Sequence, residues 1–455
     1  MASFDFPPDF KWGVATSSHQ IEGATHVDGR GESIWDRFAA TPGKIADGTN
    51  GDVACDHYNL WGTDIEKMRW LGVDSYRFSI AWSRILPTGR GPVNKPGLDF
   101  YDRLVDGLLA ARIDPMVTLY HWDLPQALQD EGGWANRDTM DAFLEYTEAV
   151  TRRLGDRVSK WITHNEPWCI ATLGHEEGHH APGHFDPPEA LRVAHHVLVS
   201  HGMAVERIRT NVPNAEVGIA LILTPCYPAT PTVGDEDAVR QFDGSFNRWY
   251  LDPLYRGRYP DDAIADRRRW GHLSSDDLPF VLPGDMEKIA VPTDFLGLNF
   301  YSRAVMKAGA EGRAAAVQMA PKEELTDMEW EVFPDGLKDI LVRVHQEYQV
   351  PKIYITENGA AYPTAPDSEG RVHDDRRVEY FRLHLESCCR ALEAEVPLAG
   401  YFAWSLLDNF EWAHGYEKRF GLFWVDYETQ ERIPKDSAHW YRDAIAAHAL
   451  AHVVK

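Results

Sequence analysis

Apolar positions along this chain of 455 residues fall into two alternating patterns. Short runs rich in β-branched and aromatic residues, apolar enough to be buried on both faces, recur from end to end. Eight such runs are present: KWGVAT from Lys11, SYRFSIAW from Ser75, MVTLYH from Met116, KWITHN from Lys160, VGIALIL from Val217, FLGLNFY from Phe295, KIYITE from Lys352 and GYFAWSLL from Gly400. Between them apolar residues recur at helical spacing, as in Trp61, Ile65 and Met68, or Leu98, Tyr101, Leu104, Val105 and Leu108. Further stripes are Phe143, Thr147, Val150 and Leu154; Leu337, Ile340, Leu341, Val344 and Tyr348; Val378, Phe381, Leu385, Cys388 and Leu392; and Trp440, Ala444, Ala447 and Ala451. Strand followed by helix, through eight strands, predicts an α/β fold closed as a (β/α)8 TIM barrel. An open doubly wound sheet is disfavoured, because no G-x-G-x-x-G turn follows the first strand.

Three longer intervals break the alternation: Thr224 to Thr293, Ala304 to Trp330, and Asn165 to Pro188 with its many glycines, prolines and histidines. They read as enlarged strand-to-helix loops, the segments that shape the mouth of a barrel. With no tandem repeat or low-complexity tract, residues 1–455 read as one barrel domain.

Charge narrows the partners. Lys plus Arg number 46 against 70 Asp plus Glu, a formal charge of -24, which repels phosphate backbones and anionic lipid surfaces. Nucleic acid and membrane partners are therefore not expected, and no run of apolar residues is long enough to span a bilayer. The odd number of cysteines, five, lacks CxxC spacing and argues against a disulfide framework. The opening MASFDFPPDFKWGVA has neither a basic start nor a long apolar run, so a cytoplasmic location is expected. Homo-oligomerisation is allowed but not specified.

In a barrel, function sits where strands finish, and polar and aromatic residues collect there. Gln20 follows the first strand and Arg77 lies within the second. His121 and Trp122 close the third, and Asn165 and Glu166 the fourth, where Pro167 is expected to stop regular hydrogen bonding. Asn299 and Tyr301 end the sixth, Glu357 and Asn358 the seventh, and Trp404, Glu411 and Trp412 belong to the eighth and its loop. Strands four and seven are expected to face each other across the barrel, aiming two glutamates at one point. Paired carboxylates suit glycosidic bond cleavage: one protonates the leaving oxygen while the other attacks or activates water. Amides, His and Trp around them suit a polyhydroxylated sugar with apolar faces, and no cofactor is needed.

The segments THNEP ending at Pro167, YITENG ending at Gly359, FKWGVATSSHQIEGA near the start, YHWDLP from Tyr120 and NFEWAHGYEKRFGLFWVD from Asn409 resemble the hallmark segments of glycoside hydrolase family one, the β-glucosidase family. The resemblance runs from about Phe6 to Tyr441. It implies a retaining double displacement in which Glu166 is the acid/base and Glu357 the nucleophile. It further implies that Gln20, His121, Asn165, Glu411 and Trp412 grip sugar hydroxyls, with Trp122 and Asn299 beside them and the Trp404 indole beneath the ring. Arg77 and Tyr301 match neighbours of the nucleophile, and Trp330 an aromatic wall of the leaving-group site. The implied substrate is a small β-glucoside, cellobiose-like or aryl.

Physical chemistry supports the division of roles. Arg77 near Glu357 would favour its ionised form, while burial and a like charge would keep Glu166 protonated. A retaining pair would stand about 5 to 5.5 Å apart. Two rivals remain open: a 6-phospho-β-glycosidase of the same family, and a non-catalytic carbohydrate-binding relative. The first would carry serine at Glu411 and tyrosine at Phe420, whereas Lys418 fits both patterns, and a carboxylate at 411 would repel a sugar phosphate. The second would usually lack a carboxylate, and both are present. His19 stands where many members have an aromatic residue, and is expected to point away because neighbours along a strand alternate. Glu329 stands where glycine is frequent. HEEGH, His175 to His179, fits the H-E-x-x-H zinc pattern, but glycines and prolines surround it and no amphipathic helix pattern runs through it. No metal site is expected.

Overall fold

The computed structural model describes residues 4–275 and 277–450. Its centre is a closed barrel of parallel strands: β1 Lys11–Ala15, β2 Ser75–Ser79, β3 Asp114–Tyr120, β4 Lys160–Asn165, β5 Glu216–Ile222, β6 Phe295–Asn299, β7 Ile353–Asn358 and β8 Leu398–Trp404. Each strand pairs with its neighbours in chain order, and β8 returns to β1 with Tyr401 opposite Trp12. Every residue of β2 and of β7 is buried, which explains the unbroken apolar runs: helices cover the outside and side chains fill the inside. The filling includes Met116, Ile162, Ala220, Phe295, Tyr354 and Phe402, one apolar group drawn from successive strands. Gly13 makes room for it, since a Cβ there would stand 2.3 Å from the Phe402 ring.

The expected helical stripes lie in His57–Leu71, Lys95–Ala110, Asp138–Leu154, Pro334–Tyr348, Asp375–Glu393 and Asp436–Ala447. The last ends at Ala447, with His448 in the left-handed region, and Ala451 of its expected stripe lies outside the described residues. The longest helix, Pro187–Asn211, was signalled by no stripe, because buried His195, His196 and His201 interrupt its apolar face. Several predicted strands overran. Ser75 to Trp82 stops as a strand at Ser79 and Trp82 opens a helical turn; Phe295 to Tyr301 stops at Asn299; Gly400 to Leu407 stops at Trp404.

The long intervals are richer than loops. Thr224 to Thr293 holds the helices Val233–Asp243, Trp249–Arg256, Asp261–Arg269 and Asp285–Ile289. Cys226–Pro228, Ala304–Ala308 and Ala314–Ala316 form a small sheet. Pro167 ends pairing along β4 but does not end regular structure: it opens a helical segment that widens into a π-helical run, Cys169–Glu176. That run enters HEEGH, which the surrounding glycines and prolines had argued against. No described helix is long and apolar enough to cross a membrane.

Candidate active site

The carboxyl ends of the strands surround a cavity of about 600 Å³, and Glu166 and Glu357 both line it. β4 and β7 are not opposite one another; β5 and β6 alone separate them on the shorter way round. What aims their side chains inward is a local irregularity. Pairing registers shift between Ile162 and Asn165 and between Ile355 and Glu357, just before each carboxylate. Glu166 itself takes φ 47°, and Trp122 and Trp412 also have left-handed backbones, at 76° and 50°. Such conformations cost on the order of 1 kcal/mol or more each and concentrate at functional sites.

Arg77 is the hub beneath the pair. Its Nη1 donates to Glu357 Oε1 at 2.6 Å and to the Thr356 carbonyl at 3.0 Å. Its Nη2 donates to Asn165 Oδ1 at 2.6 Å and its Nε to Thr118 Oγ1 at 3.2 Å. The Tyr301 hydroxyl donates to Glu357 Oε2 at 2.6 Å. On the other carboxylate, Asn299 Nδ2 donates to Glu166 Oε1 at 2.7 Å and also reaches Asn165 Oδ1 at 3.0 Å. Thr356 holds the Asn299 carbonyl at 2.6 Å, fixing which way that amide faces.

With its oxygen engaged by Arg77 and Asn299, Asn165 must turn its Nδ2 to His121 Nε2, 3.1 Å away. His121 is neutral, since burial and then the Arg77 charge hold its pKa well below the ordinary value. Its proton therefore sits on Nδ1, which has no partner among the described residues. Trp122 donates its indole N–H to the Asn165 carbonyl at 3.0 Å and packs on Trp412 with ring centroids 4.5 Å apart. Trp404 and Trp412 each stack near-parallel to His121. Gln20 sits on a helical turn, Ser18–Ile21, with the orientation of its side-chain amide fixed: Ser17 donates to its Oε1, and its Nε2 donates to Asn409 Oδ1, the Phe410 carbonyl and, at 3.3 Å, Glu411 Oε2.

Two expectations need correction here. His19 lies on that same helical turn, not on a strand, so alternation does not turn it away; it is buried and stacks on Trp412 at 5.8 Å and 10°. Burial lowers its pKa to about 4, so it acts as a neutral aromatic plate. Glu411 is the second. Burial first, then the charges of Glu357 and Glu166, raise its pKa to about 8, so at neutral pH it is largely protonated. Charge repulsion by Glu411 is thus a weak barrier to a sugar phosphate in the empty site. Lys418 offers a phosphate little free charge, being occupied by the Asp327 carbonyl at 2.9 Å and its carboxylate at 3.4 Å.

The central pair is asymmetric. Burial and the neighbouring Glu357 charge both raise Glu166, to about 8. Burial raises Glu357 as well, but Arg77, Tyr301 and Asn299 all work against that rise. Arg77 thus offsets burial on Glu357 without returning it to the ordinary range. The first proton leaves from Glu357, and Glu166 keeps its own.

Farther out, Trp330 packs on Tyr301 with centroids 5.1 Å apart, and both face Phe420. Glu329 before it has φ 60°, the left-handed region that glycine enters without strain. One contact was missed from sequence: the Cys169 thiol donates to Glu166 Oε2 at 3.1 Å. Reading Pro167 as the first position of a helical segment would have found it, because residue 169 then rises over 166.

The description "Glycosyl hydrolase family 1" belongs to the family model that matches residues 2–450. Among curated relatives, β-glucosidase A of Acetivibrio thermocellus is 47% identical over 449 residues, 98% of this chain and 99% of that protein. Among solved structures, a family 1 β-glucosidase from Thermotoga maritima aligns with TM-score 0.95 at 46% identity, covering 99% of this chain and all 100% of that one. The Thermotoga maritima β-glucosidase in complex with glucoimidazole aligns with TM-score 0.94 at 47% identity, covering 98% and 100%.

Proposed function

This chain belongs to glycosyl hydrolase family 1, and from that premise we infer that it is a retaining β-glucosidase in which Glu357 is the nucleophile and Glu166 the acid/base. The observation that carries the residue assignment is the asymmetric pair: Glu357 is held by Arg77 and Tyr301 at 2.6 Å each, while Glu166 is raised to about 8. Glu357 attacks the anomeric carbon and its bond to the departing oxygen breaks as Glu166 delivers its proton there. Esterification removes the charge of Glu357 and with it one cause of the raised pKa of Glu166. Glu166 then ionises more readily and takes a proton from the water that releases the sugar.

Gln20, His121, Asn165, Asn299, Glu411 and Trp412 hold the terminal sugar, the first of these through donors and acceptors already oriented by their neighbours. Trp404 carries an apolar sugar face, Trp122 braces Trp412, and Trp330 walls the leaving group. The substrates are terminal β-D-glucosyl groups of cellobiose-like oligosaccharides and aryl or alkyl β-glucosides. A place in cellulose breakdown follows from that substrate class, and the five unpaired cysteines accord with a reducing cytoplasm. Release of chromophore from an aryl β-D-glucoside, with chelator present, tests the reading beside the 6-phosphorylated analogue and Glu357→Gln. Turnover of the plain glucoside that survives chelation and collapses in the variant is expected; turnover of the phosphorylated sugar alone, or of neither, would contradict it.

A further inference from the structure

The loop after β4 carries a second cluster, made of His175, His184 and Glu189, whose ligand-capable atoms lie within 4.8 Å of one another. Their backbones are tied together. His175 belongs to the π-helical run Cys169–Glu176, the His184 amide donates to the Gly174 carbonyl at 3.0 Å, and the Asp186 amide donates to the His175 carbonyl at 2.7 Å. Glu189 stands in the first turn of Pro187–Asn211, where Asp186 caps its amide at 3.0 Å.

The tautomer of His175 follows from its neighbour. Nδ1 lies 2.8 Å from the Ile170 carbonyl, which can only accept, so Nδ1 carries the proton and Nε2 the lone pair. His175 is 2% exposed, and its Nε2 has no hydrogen-bond partner among the described residues. An imidazole that donates one nitrogen to a backbone carbonyl and leaves the other bare is oriented as metal-binding histidines are. The His184 ring stands edge-on to it at 5.4 Å between centroids, and its Nδ1 is 3.0 Å from Glu189 Oε2.

We propose that His175 Nε2, His184 and Glu189 form a binding site for one divalent transition ion of the zinc class. Two imidazoles and one carboxylate, with a fourth position open, suit such an ion, whereas calcium and magnesium prefer oxygen alone. Bonds of about 2.0–2.1 Å place tetrahedral ligand atoms about 3.3 Å apart, so the cluster closes by a modest movement. The His184 side chain, 39% exposed, is free to make it. The second histidine of HEEGH takes no part: His179 is exposed and lies 3.9 Å from Glu177. His175 and His184 bracket His179 and His180, which line the cleft. The ion clips the base of that wall to the long helix.

Metal-free full-length protein titrated with Zn²⁺ against a competing chromogenic chelator tests this, with Co²⁺ as a spectroscopic stand-in. One equivalent should bind, the cobalt form should show the visible absorption of a tetrahedral site, and His184→Ala and Glu189→Gln should each weaken binding at least tenfold. His179→Ala should not. Absence of a one-to-one site, or equal affinity in His184→Ala, would overturn the proposal, and circular dichroism of each variant separates lost ligands from lost folding.

Discussion

The inner end of the cleft and its mouth are built differently. At the inner end the side chains come from the strands and the segments that follow them, and their polar atoms are cross-linked: Arg77 alone contacts Glu357, Thr356, Asn165 and Thr118. At the mouth, Trp330, Met328, Trp168 and Leu173 come from the long intervals and meet the cavity mainly with apolar surface. Among them Trp330 is placed by ring contacts and by the tight turn that joins its backbone to Thr326. On the proposed function, the first half sets the reaction and the second the choice of leaving group. Preorganised hydrogen bonds act where charge develops, and a loop-borne aromatic wall adapts to what departs.

The comparison is broken most severely by Glu357→Gln, for which kcat should fall by about 10⁴-fold or more in steady-state assays. Glu166→Gln should cost about 10² to 10⁴-fold on substrates with poor leaving groups. In the parent, activity should fall as pH rises through about 8, where Glu166 loses its proton, and fall at acid pH as Glu357 gains one. The Glu166→Gln profile should lose the share of the alkaline limb that belongs to Glu166, leaving that of Glu411.

The inner end also stores instability. Carboxyls whose folded pKa is raised bind more protons folded than unfolded, so stability is greatest below the ordinary value of 4.5 and declines as pH rises to about 8. Glu411→Gln should therefore unfold at a higher temperature than the parent at pH 8, by the equivalent of on the order of a few kcal/mol, and show little advantage at pH 4.5. Equal melting temperatures at both pH values would contradict the burial argument. Glu411→Gln should also change the ratio of glucoside to galactoside turnover, because Glu411 and Gln20, which meet each other, are both proposed to hold the terminal sugar.

Smaller effects sharpen the contrast. Cys169→Ala removes a hydrogen bond that lowers the pKa of Glu166, so its alkaline limb should move upward with kcat changed less than about tenfold. Trp330→Ala should alter kcat/KM by about tenfold or less, unequally among leaving groups and with little change in the release of the sugar from the enzyme. A uniform loss across leaving groups would place Trp330 at the inner end instead.

The same contrast explains what the sequence revealed. β1 to β8 were legible because doubly buried strands leave apolar runs, and Glu166 and Glu357 because the runs end on them. The helices between Val233 and Ile289 were not legible: they pack in an excursion whose ion pairs, such as Arg248 with Asp262, replace an apolar stripe with charge. Pro187–Asn211 was hidden by buried histidines that find specific partners, as His195 does with Tyr259 and Asp285. His19 was misjudged because its helical turn begins at Ser18, three residues after the strand ends at Ala15. The protonated state of Glu411 depends first on burial and then on carboxylates far along the chain, neither of which sequence spacing reports.

The central claim is that Glu357, held by Arg77 and Tyr301, becomes covalently glycosylated while Glu166 handles the proton. The direct test is to trap the intermediate with a 2-deoxy-2-fluoro-β-glucosyl donor bearing a good leaving group, digest the protein and locate the added mass. One label per chain on the peptide containing Glu357, absent in Glu357→Gln, is the predicted result. Label on Glu166, or turnover without any trapped species and with inverted product, would contradict the account.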